Sequence, residues 1–162
     1  MNQNSSIKEQ ALHPEQAAQG QTTASDAAQP AAPSPAELDE RTLTALHAAS
    51  DKKALDMIVL DLRSIASFTD YFIITSGTNV RQVQAIADEV VEQLKKQGAR
   101  AARVEGYKSA EWVLVDYGDF IVHVFDDKAR RFYDLERLWR EAPRVALPAE
   151  FGGADGSLRS ES

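Results

Sequence analysis

The stretch EWVLVDYGDFIVHVF, residues 111–125, limits the folds open to this chain more than any other segment. Two runs rich in β-branched and aromatic residues flank Gly118-Asp119, a pattern typical of a β-hairpin with a two-residue turn. If Tyr117 pairs with Phe120 across this turn, alternate side chains point to opposite faces of the hairpin. One face then holds Val113, Val115, Tyr117, Phe120, Val122 and Val124, and the other holds Trp112, Leu114, Asp116, Ile121, His123 and Phe125.

The two faces of this hairpin predict different surroundings. The first face is aliphatic and aromatic, as a core requires. The second face mixes a tryptophan, an aspartate and a histidine with aliphatic residues, which is typical of a half-exposed recognition surface. We therefore expect the face that contains Trp112 to be available to a partner.

Two carboxylates and a histidine in the hairpin raise the question of a catalytic or metal-binding cluster. Asp119 falls in the turn, where aspartate is favoured because it bonds to nearby backbone. Asp116 and His123 share a face, but no third ligand converges on them. We favour a turn-and-strand role for these residues over a catalytic or metal-binding role.

Other periodic segments predict the rest of the fold. Short β-rich runs at residues 56–62, 70–77 and 101–106 predict three more strands. The segment VRQVQAIADEVVEQLKKQG, which follows Asn79 as N-cap, predicts a long amphipathic helix. ELDERTLTALHAAS predicts a first helix, and KARRFYDLERLWR predicts a closing helix or a pair of short helices. This order predicts an α/β fold, a single domain with a mixed sheet of about five strands and flanking helices.

Composition divides the 162 residues into three parts. Residues 1–36 and 144–162 contain mostly small and polar residues, so ordering them would cost entropy with little burial in return. We expect a disordered N-terminal tail at 1–36, one domain at 37–143 and a flexible C-terminal tail at 144–162. Phe151 is the one residue of the C-terminal tail that is suited to docking.

Charge and missing residue types exclude several classes of protein. The formal charge of −7 argues against broad binding to nucleic acid, which needs clustered Lys and Arg. The absence of cysteine excludes disulfides and Cys-ligated zinc. The sequence has neither a run of about 20 apolar residues nor the pattern of a signal peptide. We expect a soluble, cytoplasmic protein without membrane contact.

Two further segments can each be interpreted either as a ligand-binding site or as a purely structural part of the fold. TSGTNVRQ leads from a strand into a helix N-terminus, but without the GxxxxGK pattern we favour a β-to-α turn over a phosphate site. DDKARRFYDLERLW mixes arginines and aromatic residues as some RNA-binding segments do. Acidic residues nearly balance its charge, so we favour a solvated helix face with an apolar side in the core.

Three separated blocks together resemble the ribosome silencing factor family, also called the Iojap family. The blocks are TDYFIITSGTNVRQVQAIADEV, EGYKSAEWVLVDYGDFIVHVF and ARRFYDLERLW. They lie in the order and spacing of the family, over about residues 40–140. The resemblance implies a fold distantly similar to nucleotidyltransferases. It also implies that catalysis is absent, because Thr78 follows Gly77 where the enzymes have Gly-Ser and no Asp-x-Asp follows.

What the resemblance implies is a translational repressor without catalytic residues, cofactor or metal. Such factors bind large-subunit ribosomal protein fourteen on the intersubunit face and block joining of the small subunit when nutrients are short. Carried over onto this chain, the partner-binding surface falls on Trp112, Asp116 and Tyr117, with Tyr107, Lys108, Leu114 and His123 as neighbours. No direct nucleic-acid binding is expected, and a homodimer off the ribosome is compatible with the hairpin.

Two other functions stay open at this point. A nucleotidyltransferase-like or nucleotide-binding enzyme would use Asp116, Asp119 and the loop at Gly77. An RNA-binding protein would use the arginines near residue 130, and its affinity for naked ribosomal RNA would fall steeply with salt.

Overall fold

A computed structural model describes residues 6–14 and 38–151 as helices packed on one five-stranded sheet. In chain order the elements are α1 Ile7–Leu12, α2 Glu40–Asp51, β1 Leu55–Asp61, β2 Tyr71–Gly77, α3 Val80–Lys96, β3 Arg103–Glu105, β4 Trp112–Asp116, β5 Phe120–Asp126, α4 Asp127–Tyr133, α5 Leu135–Leu138 and a 3-10 turn Ala149–Phe151. None of the described helices is long and apolar enough to cross a membrane. The α/β fold and the five strands predicted from the sequence are confirmed.

The sheet has the strand order β1-β2-β5-β4-β3, with β5 in the middle. β2 and β5 are parallel, and the other three neighbouring pairs are antiparallel. β4 and β5 form the predicted hairpin, in which Trp112 lies opposite Phe125 and the Tyr117 N–H donates to the Phe120 carbonyl at 2.9 Å. Gly118 takes a φ of +92° in the turn, a conformation that favours glycine. The predicted two-residue turn and register are confirmed.

The long helix α3 begins and ends at the residues that the sequence indicates. The Asn79 side chain accepts a 2.8 Å hydrogen bond from the Gln82 N–H and so caps the first turn. Gly98, just past the helix, has a φ of +85°. The apolar stripe of the helix is fully buried at Val83, Ile86, Val90 and Leu94. This stripe fixes α3 against one face of the sheet.

Both faces of the sheet are covered, which corrects the expectation of a half-exposed hairpin face. Helices α2 and α3 cover the face that contains Val113 and Val122. The opposite face packs against residues of α1, α4 and α5, and against Trp139. Trp112 on that face is only 4% exposed, and Leu114 and His123 have no exposed surface. The prediction failed because alternation along a strand divides side chains between two faces but does not show what packs on each face.

The predicted boundaries of the folded part are also too narrow at both ends. At the N-terminus, α1 is ordered and its Ala11 is fully buried, although the sequence predicted a disordered tail there. At the C-terminus, the Val145 N–H donates to the Val59 carbonyl at 2.9 Å, and Val145 and Leu147 are buried. Each segment buries a few small or medium apolar side chains, too few to stand out by composition. The remaining residues of the two predicted tails lie outside the described part of the chain.

The C-terminal segment should therefore contribute to stability. We expect Leu147→Ala to lower the free energy of unfolding by about 2 to 4 kcal/mol, because the side chain is lost from the core beneath α2 and α3. Ala146→Ser, at the exposed neighbouring position, should change it by less than about 0.5 kcal/mol. Urea denaturation followed by circular dichroism measures both. Equal midpoints for wild type and Leu147→Ala would show that the segment does not pack in solution.

Candidate partner-binding surface

The loop between β3 and β4 holds the two most accessible residues of the predicted surface, Tyr107 and Lys108. Tyr107 is 38% exposed, and its hydroxyl donates a 3.0 Å hydrogen bond to the Asp88 carboxylate on α3. The bond raises the pKa of Tyr107, because the Asp88 carboxylate accepts it only while the hydroxyl is protonated. The ring is therefore held in place while part of its surface faces solvent.

Gly106, which precedes this pair, allows the loop to lie against β4. Its φ is +81°, and a Cβ at this position would lie 2.1 Å from the Trp112 carbonyl oxygen. Any other residue would force the two backbones apart. The glycine therefore places Tyr107 and Lys108 next to the start of β4.

Trp112, the first residue of β4, lies in a cluster of aromatic rings. Its indole N–H donates a 3.0 Å hydrogen bond to Nδ1 of His123 on the neighbouring strand. The ring centroids of Tyr133 and Phe125 lie 4.8 Å and 5.0 Å from that of Trp112. The hydrogen bond satisfies the one polar atom of a large buried side chain.

His123 is buried and uncharged. Because Nδ1 accepts from Trp112, the proton of the neutral ring belongs on Nε2, which has no hydrogen-bond partner among the described residues. Burial, with a smaller contribution from the positive charge of Lys8, lowers the pKa of His123 to about 3. The ring therefore acts as an acceptor for Trp112 and as a packing surface for Phe72, whose centroid lies 4.4 Å away.

The two carboxylates of the hairpin are used by the fold and do not meet His123. Asp116 accepts a 2.8 Å hydrogen bond from the Gly118 N–H and so stabilises the turn. Asp119 pairs with Arg41 of α2 through a 2.7 Å hydrogen bond. Within residues 6–14 and 38–151, no group of three or more His, Asp or Glu could hold a metal ion. Both aspartates therefore make contacts that hold the hairpin, although the bond to turn backbone that the sequence predicted for Asp119 is made by Asp116.

Tyr117 lies on the opposite face of the sheet from Trp112. Its ring stacks on Phe120 with centroids 5.0 Å apart, and burial raises the pKa of its hydroxyl to about 12. The predicted surface thus divides into exposed Tyr107 and Lys108 and buried residues on two separate faces, with Asp116 at the end of β4 among the buried ones.

The two other candidate segments serve the fold. At the start of α3, the Thr78 N–H and the Gln82 N–H are used by the side chains of Gln82 and Asn79, as expected for a capped β-to-α turn. In the basic-aromatic segment, the Arg130 guanidinium bonds to Glu136 at 2.9 Å and to the Leu55 carbonyl at 3.2 Å. These contacts occupy the Thr78 and Gln82 N–H groups and the Arg130 guanidinium, which a phosphate would otherwise use.

Sequence reasoning missed the contribution of α1 to this surface. The Lys8 ammonium donates a 2.7 Å hydrogen bond to the Trp112 carbonyl, and the Trp139 indole N–H donates a 2.6 Å bond to the Ala11 carbonyl. A local signal was present, because Ser6 and Glu9 have the spacing of a capping box and the Ser6 hydroxyl accepts from the Glu9 N–H at 3.3 Å. The helix lies beside the aromatic cluster and covers part of it.

Comparisons with known proteins point to one family. The family model described as "Ribosomal silencing factor during starvation" matches residues 35–161. The chain is 45% identical over 103 residues to ribosomal silencing factor RsfS of Halalkalibacterium halodurans. The aligned region covers 64% of this chain and 88% of that relative. It is 32% identical over 91 residues to the mouse protein named mitochondrial assembly of ribosomal large subunit protein 1, covering 54% of this chain and 40% of that relative.

A solved structure supports the same grouping at the level of the fold. A crystal structure of a protein from Bacillus halodurans is 42% identical and has a TM-score of 0.61. The match covers 67% of this chain and 98% of that chain. The sheet and its flanking helices therefore resemble a fold known from experiment.

The buried His123 predicts a pH dependence of stability. Its folded pKa of about 3 lies below the unfolded value of about 6.5, so the unfolded chain takes up the proton first as the pH falls. This contribution to the free energy of unfolding is full above pH 6.5 and is lost progressively between pH 6.5 and pH 3. From pH 7 to pH 5 we expect it to fall by about 2 kcal/mol.

A variant that cannot titrate isolates this effect. His123→Gln keeps an acceptor for the Trp112 indole but takes up no proton, so its stability should fall less over the same pH range. Urea denaturation of both proteins at pH 7, 6 and 5 measures the difference. Parallel curves would contradict the assignment of the acid sensitivity to His123.

Proposed function

The chain belongs to the ribosomal silencing factor family, and on this premise we propose that it represses translation by binding the large ribosomal subunit. The partner on that subunit is ribosomal protein fourteen on the intersubunit face. Occupation of this face blocks joining of the small subunit by steric exclusion, above all when nutrients are limiting. The observation that carries the proposal is the family match over residues 35–161, which includes the whole sheet.

The position of the candidate catalytic residues supports a steric role over an enzymatic one. A transferase mechanism would need carboxylates that converge on a substrate and a metal ion. Here Asp116 is bonded to the turn backbone and Asp119 to Arg41, on a hairpin tip. The Gly77 loop packs against α3, where a Cβ at Gly77 would lie 3.2 Å from the Val83 side chain and backbone. The groups that an enzyme would use therefore maintain the hairpin and the helix start.

The accessible part of the proposed contact is the loop after β3. Tyr107 offers a rigid ring held by Asp88, and Lys108 offers a neighbouring charge, both in front of β4. A partly exposed tyrosine fixed by a hydrogen bond loses little side-chain freedom on binding. The Trp112 backbone lies directly behind this loop, and its ring is buried next to α1. The other carried-over residues support this surface from within the sheet.

Subunit joining provides the direct test. Purified large subunits are incubated with the full chain, small subunits are added, and the mixture is analysed by sedimentation. We expect the chain to sediment with large subunits and to reduce the fraction of joined ribosomes in proportion to its occupancy. Unchanged joining at saturating occupancy would refute the steric mechanism. Turnover of ATP or CTP with Mg²⁺ that is abolished by Asp116→Ala would favour the enzyme instead.

The contribution of the Tyr107 ring can be separated from that of its hydroxyl. Tyr107→Ala removes both, whereas Tyr107→Phe keeps the ring and loses only the bond to Asp88. We expect Tyr107→Ala to weaken binding to large subunits about tenfold, equivalent to about 1.4 kcal/mol, and Tyr107→Phe to bind nearly as wild type. Equilibrium sedimentation measures both affinities. Equal losses in the two variants would show that the hydroxyl bond, and not a ring contact with the partner, matters.

A further inference from the structure

Helix α1 contacts both tryptophans of the chain. Its Lys8 ammonium donates to the Trp112 carbonyl and lies 4.9 Å from the centre of the Trp112 ring. One turn further on, the Ala11 carbonyl accepts from the Trp139 indole, and the Ala11 methyl group is fully buried in the same cluster. The surface beside the Tyr107 loop is therefore occupied by a segment of the chain itself.

The covering helix lies outside the part of the chain that the family shares. The family model begins at residue 35, whereas α1 ends at Leu12. Trp112 and Trp139, the residues that α1 covers, both lie within the matched range. The surface proposed to bind the partner is thus covered by a helix that lies outside the range matched by the family model.

The hold of α1 on this surface is limited. An isolated helix of six residues is too short to be stable in water, so α1 is helical only while it is docked. Ala11 is its one fully buried side chain, while Ile7 and Leu12 are partly buried. Burial lowers the pKa of Lys8, and the nearby carboxylates of Glu105 and Glu111 only partly counteract this shift. Part of the free energy gained from the Lys8 hydrogen bond is therefore spent on removing the ammonium group from water.

We propose that α1 is an intramolecular competitor of the ribosomal partner, and that the chain uses Trp112 on the large subunit only after α1 has detached. This inference rests on the proposed function, because it assigns regulation to the same surface. The contacts of α1 also indicate what replaces it. A cation over the Trp112 ring, near Glu105 and Glu111, is the group that the vacated surface accepts, so the competing segment of the ribosomal protein is basic at this point.

Detaching α1 in the full chain tests the competition. Ala11→Asp places a carboxylate at a buried position without a partner, which should release the helix. Lys8→Glu removes the cation and places a negative charge near Glu105 and Glu111. His13→Asp is the matched control, because it introduces the same side chain as Ala11→Asp at an exposed position two residues away.

Two measurements report detachment and competition separately. The chain has two tryptophans and α1 contacts both, so their emission should shift to longer wavelength and acrylamide quenching should increase in Ala11→Asp and Lys8→Glu. Affinity for purified large subunits should rise, by about tenfold if α1 is detached in one wild-type molecule in ten. His13→Asp should match wild type in both measurements. Far-UV circular dichroism confirms that each variant keeps the sheet.

Four results would overturn the inference. A shift in emission with unchanged or lower affinity would show that α1 covers the tryptophans without competing. Unchanged emission in both variants would show that α1 does not cover them in solution. Failure of wild type and all variants to bind large subunits would refute the proposed function together with the competition, whereas equal binding by all of them would refute the competition alone.

Discussion

Burial of strand β5 on both of its faces is the constraint on which the rest of this structure depends. β5 lies in the middle of the sheet, and its side chains from Phe120 to Phe125 are at most 1% exposed. A strand that is apolar on both sides needs one layer of helices above the sheet and another below it. Helices α2 and α3 form one layer, and α1, α4 and α5 contribute to the other. The three-layer arrangement follows from this need for cover.

Several polar groups in and around the hairpin have local partners, although His123 Nε2 and the Tyr117 hydroxyl are buried without one among the described residues. The indole of Trp112 donates to His123, and Asp116 and Asp126 cap the turn and the start of α4 respectively. A buried donor without an acceptor would cost roughly 1 to 3 kcal/mol, a cost that the His123 acceptor avoids for the Trp112 indole. Residues that suggest chemistry in the sequence therefore serve the hairpin in the folded chain. A sheet of this kind can be used as a binding surface, because fold and function are separable.

The same packing determines where a partner can approach. The sheet face that contains Trp112 is closed by helices, so Tyr107 and Lys108 in the loop before β4 are the exposed residues of the proposed contact. Gly106 brings this loop against the backbone of Trp112, which makes the exposed and the covered parts of the surface contiguous. Movement of α1 would enlarge the contact without any change in the sheet. The division between the sheet and a short covering helix is therefore the feature on which the proposed regulation depends.

The sequence by itself determined the elements whose signals are local. The Gly118-Asp119 turn and the alternation around it indicated the hairpin register, and Asn79 and Gly98 marked the ends of α3. The candidate surface was only partly predictable. Which residues share one face of a strand follows from the local sequence, but whether that face is exposed depends on segments elsewhere in the chain. Covering of Trp112 depends on Lys8, 104 residues away along the chain, and covering of Trp139 depends on Ala11, 128 residues away. Only the tertiary structure decided which face was closed and by which segment, because the free energy of such burial arises between segments that no periodicity in the sequence connects.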